Sequence, residues 1–406
     1  MLARIRVGSL RIELPDGTVL RVGAPGPADR VDRVDRVDRP RAPGPAPAER
    51  VAGPSATIRI ADWRVFGDVL SSGDIGFGEG YMRGDWSSPG LSDLLRLLVA
   101  NRDALEAAVY GRWWGRWLHR LRHLVKHNTR AQARRNIRAH YDLGNAFYRL
   151  WLDPSMTYSS ALFEADPNRS LQQAQQAKYE RVLRQLGLSA GARVLEIGCG
   201  WGGLAERAAA SGLHLTGLTL SREQHDYAAT QLARAGLADR VRLLLQDYRD
   251  TEGRFDGIAS IEMFEAVGEA YWPDYFSCLK RNLAPGGRAV IQTIVIDDAL
   301  FERYRSGTDF IQQYVFPGGM LASDRVFGSQ AQRSGLRIAD AYRFGGDYAR
   351  TLAQWREAFT ARLPDVRAQG FDEPFLRMWE FYLAYCEAGF AVGNIDVVQY
   401  TLEHAR

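Results

Sequence analysis

The residues Glu196-Ile197-Gly198-Cys199-Gly200-Trp201-Gly202-Gly203 follow directly on the start of a short apolar run, Arg193–Ile197, and stand ahead of a helix-forming one. Glycines at such a strand-to-helix turn let the backbone approach a ligand closely. Gly198, Gly200 and Gly203 also satisfy the dinucleotide fingerprint, so two further features decide the ligand. Glu196 lies two residues before the first glycine, where a carboxylate meets the cationic amino group of S-adenosylmethionine but repels a pyrophosphate. About 20 residues on, where a dinucleotide enzyme needs an acid for the ribose hydroxyls, the chain has Leu218-Thr219-Leu220. Glu196, Gly198, Cys199, Gly200 and Gly202 are therefore the expected cradle of S-adenosylmethionine. Ser221-Arg222-Glu223-Gln224 has the form of a capping box, a role that alone accounts for Ser221 and Gln224. Asp247 and Tyr248 end the next strand, where the open edge of such a sheet binds ligands; for Asp247 a turn cap is the competing role.

Placing these groups takes a sheet. Short apolar strands at Arg193–Ile197, His214–Thr219, Val241–Leu245, Phe255–Ile261 and Arg288–Val295 alternate with helices beginning near Gly202, Ser221 and Ala270. That alternation predicts an α/β domain with a doubly wound, mostly parallel, Rossmann-like sheet, placed here at residues 136–406. Leu336–Phe344 is expected as a late strand, Asp372–Phe390 as a long helix, Ile395–Leu402 as a final strand, and Ala284-Pro285-Gly286-Gly287 as a turn. Residues 1–110 read as a smaller α+β domain. Its short alternating segments are Arg4–Val7, Leu10–Leu14, Val19–Val22 and Ala56–Ile60, followed by a helix at Leu91–Ala100 that Ser92 can cap. Between these strands, Gly23–Pro54 holds seven of the sixteen prolines and repeats Val-Asp-Arg three times. Such a composition cannot bury a core and predicts a disordered insertion over about residues 23–54.

Residues 111–135 read as a basic amphipathic linker. From Gly111 to His140 there are nine Lys or Arg residues, four histidines and no acid, with Trp113, Trp114, Trp117, Leu118, Leu121 and Leu124 interleaved. This pattern fits an anionic lipid surface, and the alternative is a linker helix whose tryptophans pack on the next domain. Nothing resembles a base-reading module, so nucleic acid is not an expected partner. With 46% hydrophobic and 25% charged residues the chain of 406 residues is of ordinary globular composition. Its three cysteines, Cys199, Cys278 and Cys386, are too few and too scattered for a disulfide framework or a clustered zinc site. No apolar run approaches the roughly 18 residues of a membrane span, and the N-terminus lacks the apolar core of a secretory signal, so a soluble, cytoplasmic protein is expected.

Several strings in order carry a resemblance. Ala139-His140-Tyr141-Asp142-Leu143-Gly144-Asn145-Ala146-Phe147-Tyr148, Met156-Thr157-Tyr158-Ser159-Ser160-Ala161, the glycine motif with Trp201, Gly217-Leu218-Thr219-Leu220-Ser221 and Phe316-Pro317-Gly318-Gly319 are similar to the cyclopropane-fatty-acid synthase family of S-adenosylmethionine-dependent lipid methyltransferases. The match covers most of Asn136–Leu402, and Gly78–Trp86 resembles that family's N-terminal lipid-engaging domain. The resemblance implies that Tyr158, Ser159, Gly198, Gly200, Thr219, Leu220, Gln224 and Tyr248 line the cofactor. It implies a cis double bond in a membrane phospholipid acyl chain as substrate, peripheral work on the inner face of the membrane, and a homodimer.

An alkene is a poor nucleophile and must be held against the sulfonium methyl in a dry, apolar tunnel. Methyl transfer leaves a carbocation that aromatic faces and a carboxylate stabilise, with Phe264, Tyr314, Phe316 and Tyr348 as the expected aromatics. Loss of a proton from the new methyl closes a cyclopropane ring, and loss after a hydride shift gives a methylene branch. The family's ring-closing enzymes hold a bicarbonate as the base with a Cys, Glu, His, Ile and Tyr. The matching positions here are Ser160, Glu265, Gln292, Ile294 and Tyr348, so two of five differ, and neither Ser160 nor Gln292 can carry positive charge toward an anion. Methyl transfer with branched product in at least part of the turnovers is the expectation; the competing readings are a catalytically idle lipid-binding protein, against which the intact Glu196 and glycine motif speak, and a methyltransferase for a small soluble acceptor, against which the basic Trp-rich stretch speaks. Glu262 is the rival carboxylate to Glu265, whose competing role is that of an exposed helix-start glutamate; Tyr348 has a core aromatic as its competing role. Cys386 matches a cysteine that the family counts as active, yet no step of alkene methylation needs a thiolate, and packing of the acyl tunnel is its expected role.

Overall fold

The computed structural model describes residues 5–23, 55–102, 104–105 and 143–405. The proline-rich insertion after Gly23 and the basic linker lie outside the described residues, as do Ala139–Asp142 of the first family string. Two compact units divide near residue 115.

The first unit is built on a four-stranded sheet in the order β2-β1-β3-β4, with β1 at Ser9–Glu13, β2 at Val19–Gly23, β3 at Ser55–Ile60 and β4 at Trp86–Ser87. β1 is antiparallel to β2 and parallel to β3. A helix at Arg64–Arg83, broken at Gly73, links β3 to β4. The expected strand at Arg4–Val7 does not form over its described residues, because the backbone N–H groups of Arg6 and Val7 donate to Asn101 Oδ1 at 2.8 and 2.9 Å. Asn101 closes the helix Leu91–Ala100, whose N-cap is Gly90; Ser92 is buried inside the first turn and is not the cap.

The second unit carries an eight-stranded sheet with the path β11-β12-β9-β8-β5-β6-β7, and β10 paired to β9. Its strands are β5 (Arg193–Ile197), β6 (His214–Thr219), β7 (Val241–Leu245), β8 (Phe255–Ile261), β9 (Leu283–Ile296), β10 (Ala322–Ser323), β11 (Leu336–Arg343) and β12 (Ile395–His404). β7, β6, β5, β8 and β9 run parallel, β12 is antiparallel to β9, and β11, antiparallel to β12, returns to the direction of the parallel strands. Val194 and Leu195, adjacent on β5, bury into separate clusters, as a period of two requires of a sheet covered on both faces. Ala284–Gly287 does not precede its strand. Phe255 pairs with Leu283 and Gly257 with Arg288, so the four residues loop out within β9. The order of connection reverses between β5 and β8, and a crevice at the carboxyl ends of those strands is the ligand site such a topology offers. Phe264 packs behind that crevice against Trp272, Phe276 and Phe327, so it belongs to the core and not to the expected cation-facing wall.

Candidate active site

At the end of β5 the chain turns through Gly198 (φ 84°), Gly200 (φ 50°) and Gly202 (φ 89°), the last being the N-cap of the helix Gly203–Ala210. A Cβ on Gly198 would stand 2.8 Å from Met263 Cγ, so both the space and the left-handed backbone demand glycine there. The cavity above this turn is lined by Tyr158, Ser159, Glu196, Gly198, Cys199, Gly200, Thr219, Leu220, Gln224 and Tyr248, together with Met156, Glu262 and Met263. Gly202 and Asp247 are not part of the lining. Gly202 shapes the turn, and Asp247 caps the turn Tyr248–Asp250 while its two oxygens accept from Arg249 at 2.8 and 2.6 Å. The capping box at Ser221 is half formed: Ser221 Oγ accepts from the Gln224 backbone, but Gln224 Oε1 accepts from Thr219 Oγ1 at 3.0 Å and so belongs to the cavity wall. A complete box instead opens the helix Leu171–Leu186, between Ser170 and Gln173.

Glu196 is 3% exposed, and its Oε2 has no hydrogen-bond partner. Burial pushes its carboxyl up to about 8, against the pull of Lys178. An orphaned carboxylate oxygen beside a glycine cradle is what a ligand ammonium satisfies, and on that observation these residues fit S-adenosylmethionine. Lys178 was not anticipated. It is fully buried, donates to Ser159 Oγ at 2.5 Å and sits 4.5 Å from the Tyr179 ring centroid. Burial lowers it to about 7, while Glu262, Asp153 and Glu196 favour its charge. The available signal was a lysine in a chain that otherwise uses arginine almost throughout, having only Lys126, Lys178 and Lys280.

The second group gathers around two carboxylates, and it differs from the expected set in its centre. Glu262 accepts from the Ser160 backbone N–H at 2.8 Å, from Gln292 Nε2 at 2.7 Å and from the Tyr348 hydroxyl at 2.6 Å. Glu265 instead accepts from the Ile294 backbone N–H and from Thr293 Oγ1 at 2.9 Å, while its Oε2 is buried and unpartnered. Burial, and the neighbouring Glu262, push Glu265 up to about 8. Glu262 lines the cofactor cavity and Glu265 does not. The expected five residues are thus brought together, but three meet on Glu262, and the Ser160 hydroxyl turns away to the Ala161 carbonyl at 3.1 Å. Aromatic rings cluster around Tyr158 and Tyr348: the Tyr158 hydroxyl is hydrogen-bonded to that of Tyr382 at 2.7 Å, Tyr158 lies against Trp355, and Tyr348 lies against Phe390 and Trp355. Phe316 faces Tyr382, whereas Tyr314 packs on Phe310. Cys386 sits on the helix Glu373–Ala391, and burial raises its thiol well above the ordinary range.

Fold and site define a methyltransferase that uses S-adenosylmethionine. The chain matches mycolic acid cyclopropane synthetase over residues 128–400 and belongs to that family. It is 44% identical over 337 residues to the tuberculostearic acid methyltransferase of Mycobacterium tuberculosis, covering 81% of this chain and 79% of the relative. It is 36% identical over 345 residues to the cyclopropane-fatty-acyl-phospholipid synthase of Escherichia coli K12, covering 85% of this chain and 87% of the relative. The solved structure of the mycolic acid cyclopropane synthase CmaA1 complexed with SAH and CTAB aligns with a TM-score of 0.61 and 32% identity, covering 66% of this chain and 97% of that one.

Proposed function

We propose that the protein methylates a cis double bond in an acyl chain of a membrane phospholipid, and that at least part of its product is methylene-branched. S-adenosylmethionine, when bound, supplies the electrophilic methyl. Glu196 takes the cofactor's ammonium, the turn at Gly198 and Gly200 lets the backbone close on it, and Thr219 and Gln224 wall the cavity. Tyr158, Tyr382, Trp355 and Tyr348 present ring faces that exclude water and favour a positive charge on the substrate. The observation that carries the reading is that Glu196 and Glu262 line one cavity, which puts a cofactor-holding acid and a second carboxylate on the same space. The branched product is supported by the absence of a cationic side chain at Ser160 and Gln292 and by the likeness to a tuberculostearic acid methyltransferase.

The enzyme works peripherally at an anionic, cytoplasmic membrane surface on this reading, supported by the acid-free basic stretch Gly111–His140. Among the described residues no helix is long and apolar enough to cross a membrane. Expression in a host without cyclopropane lipids, followed by incubation with trideuteromethyl-labelled S-adenosylmethionine and lipid mass spectrometry, tests it. The expected products carry one added carbon, retain two deuteriums and include ozone-cleavable alkenes. Products that all resist ozone and carry a ring overturn the branched assignment, and unchanged acyl chains overturn lipid methylation.

A further inference from the structure

Bicarbonate, the base that the family resemblance implies, does not fit this site. Of its five expected holders, the Ser160 N–H, the Gln292 amide and the Tyr348 hydroxyl already donate to Glu262, and the Ile294 N–H donates to Glu265. The fifth, Glu265, is itself an acid, and its Oε2 has no donor. A free anion entering here would find the Ser160 N–H, a Gln292 amide N–H and the Tyr348 hydroxyl already held by the Glu262 carboxylate, which occupies the place between them.

The geometry points to the Glu262 carboxylate as this enzyme's built-in base, standing where a bicarbonate would have to be held. Three observations converge on it. Its two oxygens collect three donors, a backbone N–H, an amide and a hydroxyl, all of which favour the ionised form. It is one of only four non-glycine residues with positive φ among those described, at 48°, a backbone conformation kept at a cost where the surroundings impose it. And it is fastened twice to Gln292, since its own N–H donates to the Gln292 carbonyl at 2.8 Å while its side chain takes the Gln292 amide. The same side chain lines the cofactor cavity.

This inference rests on the lipid-alkene reading above and adds the proton acceptor to it. The alkene π pair forms the new C–C bond to the methyl carbon, and the methyl's bond to sulfur breaks with its electrons left on sulfur as S-adenosylhomocysteine. The cation then on the acyl chain is discharged when a Glu262 oxygen takes a proton from the new methyl. The C–H pair becomes either the third ring bond or, after a hydride shift, the second bond of a methylene. The protonated Glu262 returns its proton to solvent before the next turnover.

The test compares the wild-type enzyme and Glu262 variants, assayed on vesicles of unsaturated phospholipid in buffer freed of carbon dioxide, with and without added bicarbonate. Wild type is expected to keep its rate to within about twofold on bicarbonate removal. Glu262→Gln keeps the shape but cannot accept the proton, and is expected to lose on the order of a hundredfold or more in kcat while binding S-adenosylmethionine with unchanged affinity by calorimetry. Glu262→Gly opens the seat and is expected to regain activity with bicarbonate in a saturable manner. A wild-type enzyme that stops without bicarbonate and recovers with it overturns the proposal, and so does a Glu262→Gln variant of near wild-type rate. A wild-type enzyme that methylates no lipid under any condition instead defeats the functional reading. Loss of cofactor affinity in Glu262→Gln would move the residue from the proton step to cofactor binding and so also overturn it.

Discussion

Gln399 donates its side-chain amide to Gln292 Oε1 at 2.9 Å from the position directly opposite in the antiparallel β12–β9 pair. Both side chains are fully buried. A glutamine amide has one acceptor and one donor end, and a donor placed on Oε1 forces the NH2 end toward Glu262. The strand that the sequence places last, held between β9 and β11, therefore sets the orientation of a group in the site.

Replacing Gln399 by leucine removes that donor and leaves Gln292 Oε1 in a dry layer. The cost is expected to be about 1–3 kcal/mol of stability, read by urea denaturation. Because the Gln292 amide is then free to flip, kcat is expected to fall by roughly tenfold while the Kd for S-adenosylmethionine stays unchanged, the split between the two being the mark of a residue that positions the acid and not the cofactor.

Glu196→Gln is expected to weaken S-adenosylmethionine binding by roughly tenfold or more, because a charge-assisted hydrogen bond to the ammonium is lost. The pH dependence has a definite sign. The folded protein holds the Glu196 carboxyl up to about 8, above its ordinary 4.5, so the proton is bound more tightly in the folded than in the unfolded chain. Stability contributed by this group is present below the ordinary value and is lost as pH rises through about 8. Binding of the ammonium needs the ionised form, so affinity rises over that same range. Calorimetry from pH 6 to pH 8 should show tightening in wild type and a flatter profile in Glu196→Gln.

Much of this was legible because the relevant signals are local. A strand, a glycine turn and a helix start are adjacent in sequence, so the cradle from Glu196 to Gly202 could be read directly. The tertiary pairings could not. Nothing near Gln292 announces Gln399, which is 107 residues away in sequence, and Tyr348 reaches Glu262 across 86 residues. Glu262 competes with Glu265 as a carboxylate, but local pattern alone cannot say which of two acids three residues apart receives the donors; the tertiary fold decides it, by bringing Ser160, Gln292 and Tyr348 to Glu262. The strand at Arg4–Val7 failed for a related reason, since alternation of side chains cannot foresee that Asn101 will take the backbone donors.

Cys386 gives a prediction of the opposite kind. Its thiol is held well above the ordinary range by burial and by the nearby Asp309 charge, so almost no thiolate exists at neutral pH. Cys386→Ala is expected to keep kcat within about twofold and to lose about 1 kcal/mol of stability for the smaller side chain. A hundredfold loss in kcat at unchanged thermal stability would show that the thiol takes part in the reaction.

The basic stretch supplies the last prediction. Arg112, Arg116 and Arg120 recur at helical spacing in a segment without acids, between tryptophans that can enter a headgroup layer. Each basic side chain near an anionic surface contributes on the order of 1 kcal/mol at modest salt. Reversing three to glutamate both removes that attraction and adds repulsion of similar size, so the change should exceed the thousandfold that loss of about 4 kcal/mol produces. Sedimentation with vesicles is expected to show binding by wild type only when anionic lipid is present, weakening as salt shortens the screening length from about 10 Å at 0.1 M to about 3 Å at 1 M. The Arg112→Glu, Arg116→Glu, Arg120→Glu protein should stay in the supernatant yet bind S-adenosylmethionine normally, which separates loss of docking from loss of fold. Equal binding of wild type to neutral and anionic vesicles would remove the electrostatic argument and leave the tryptophans to pack against the protein itself.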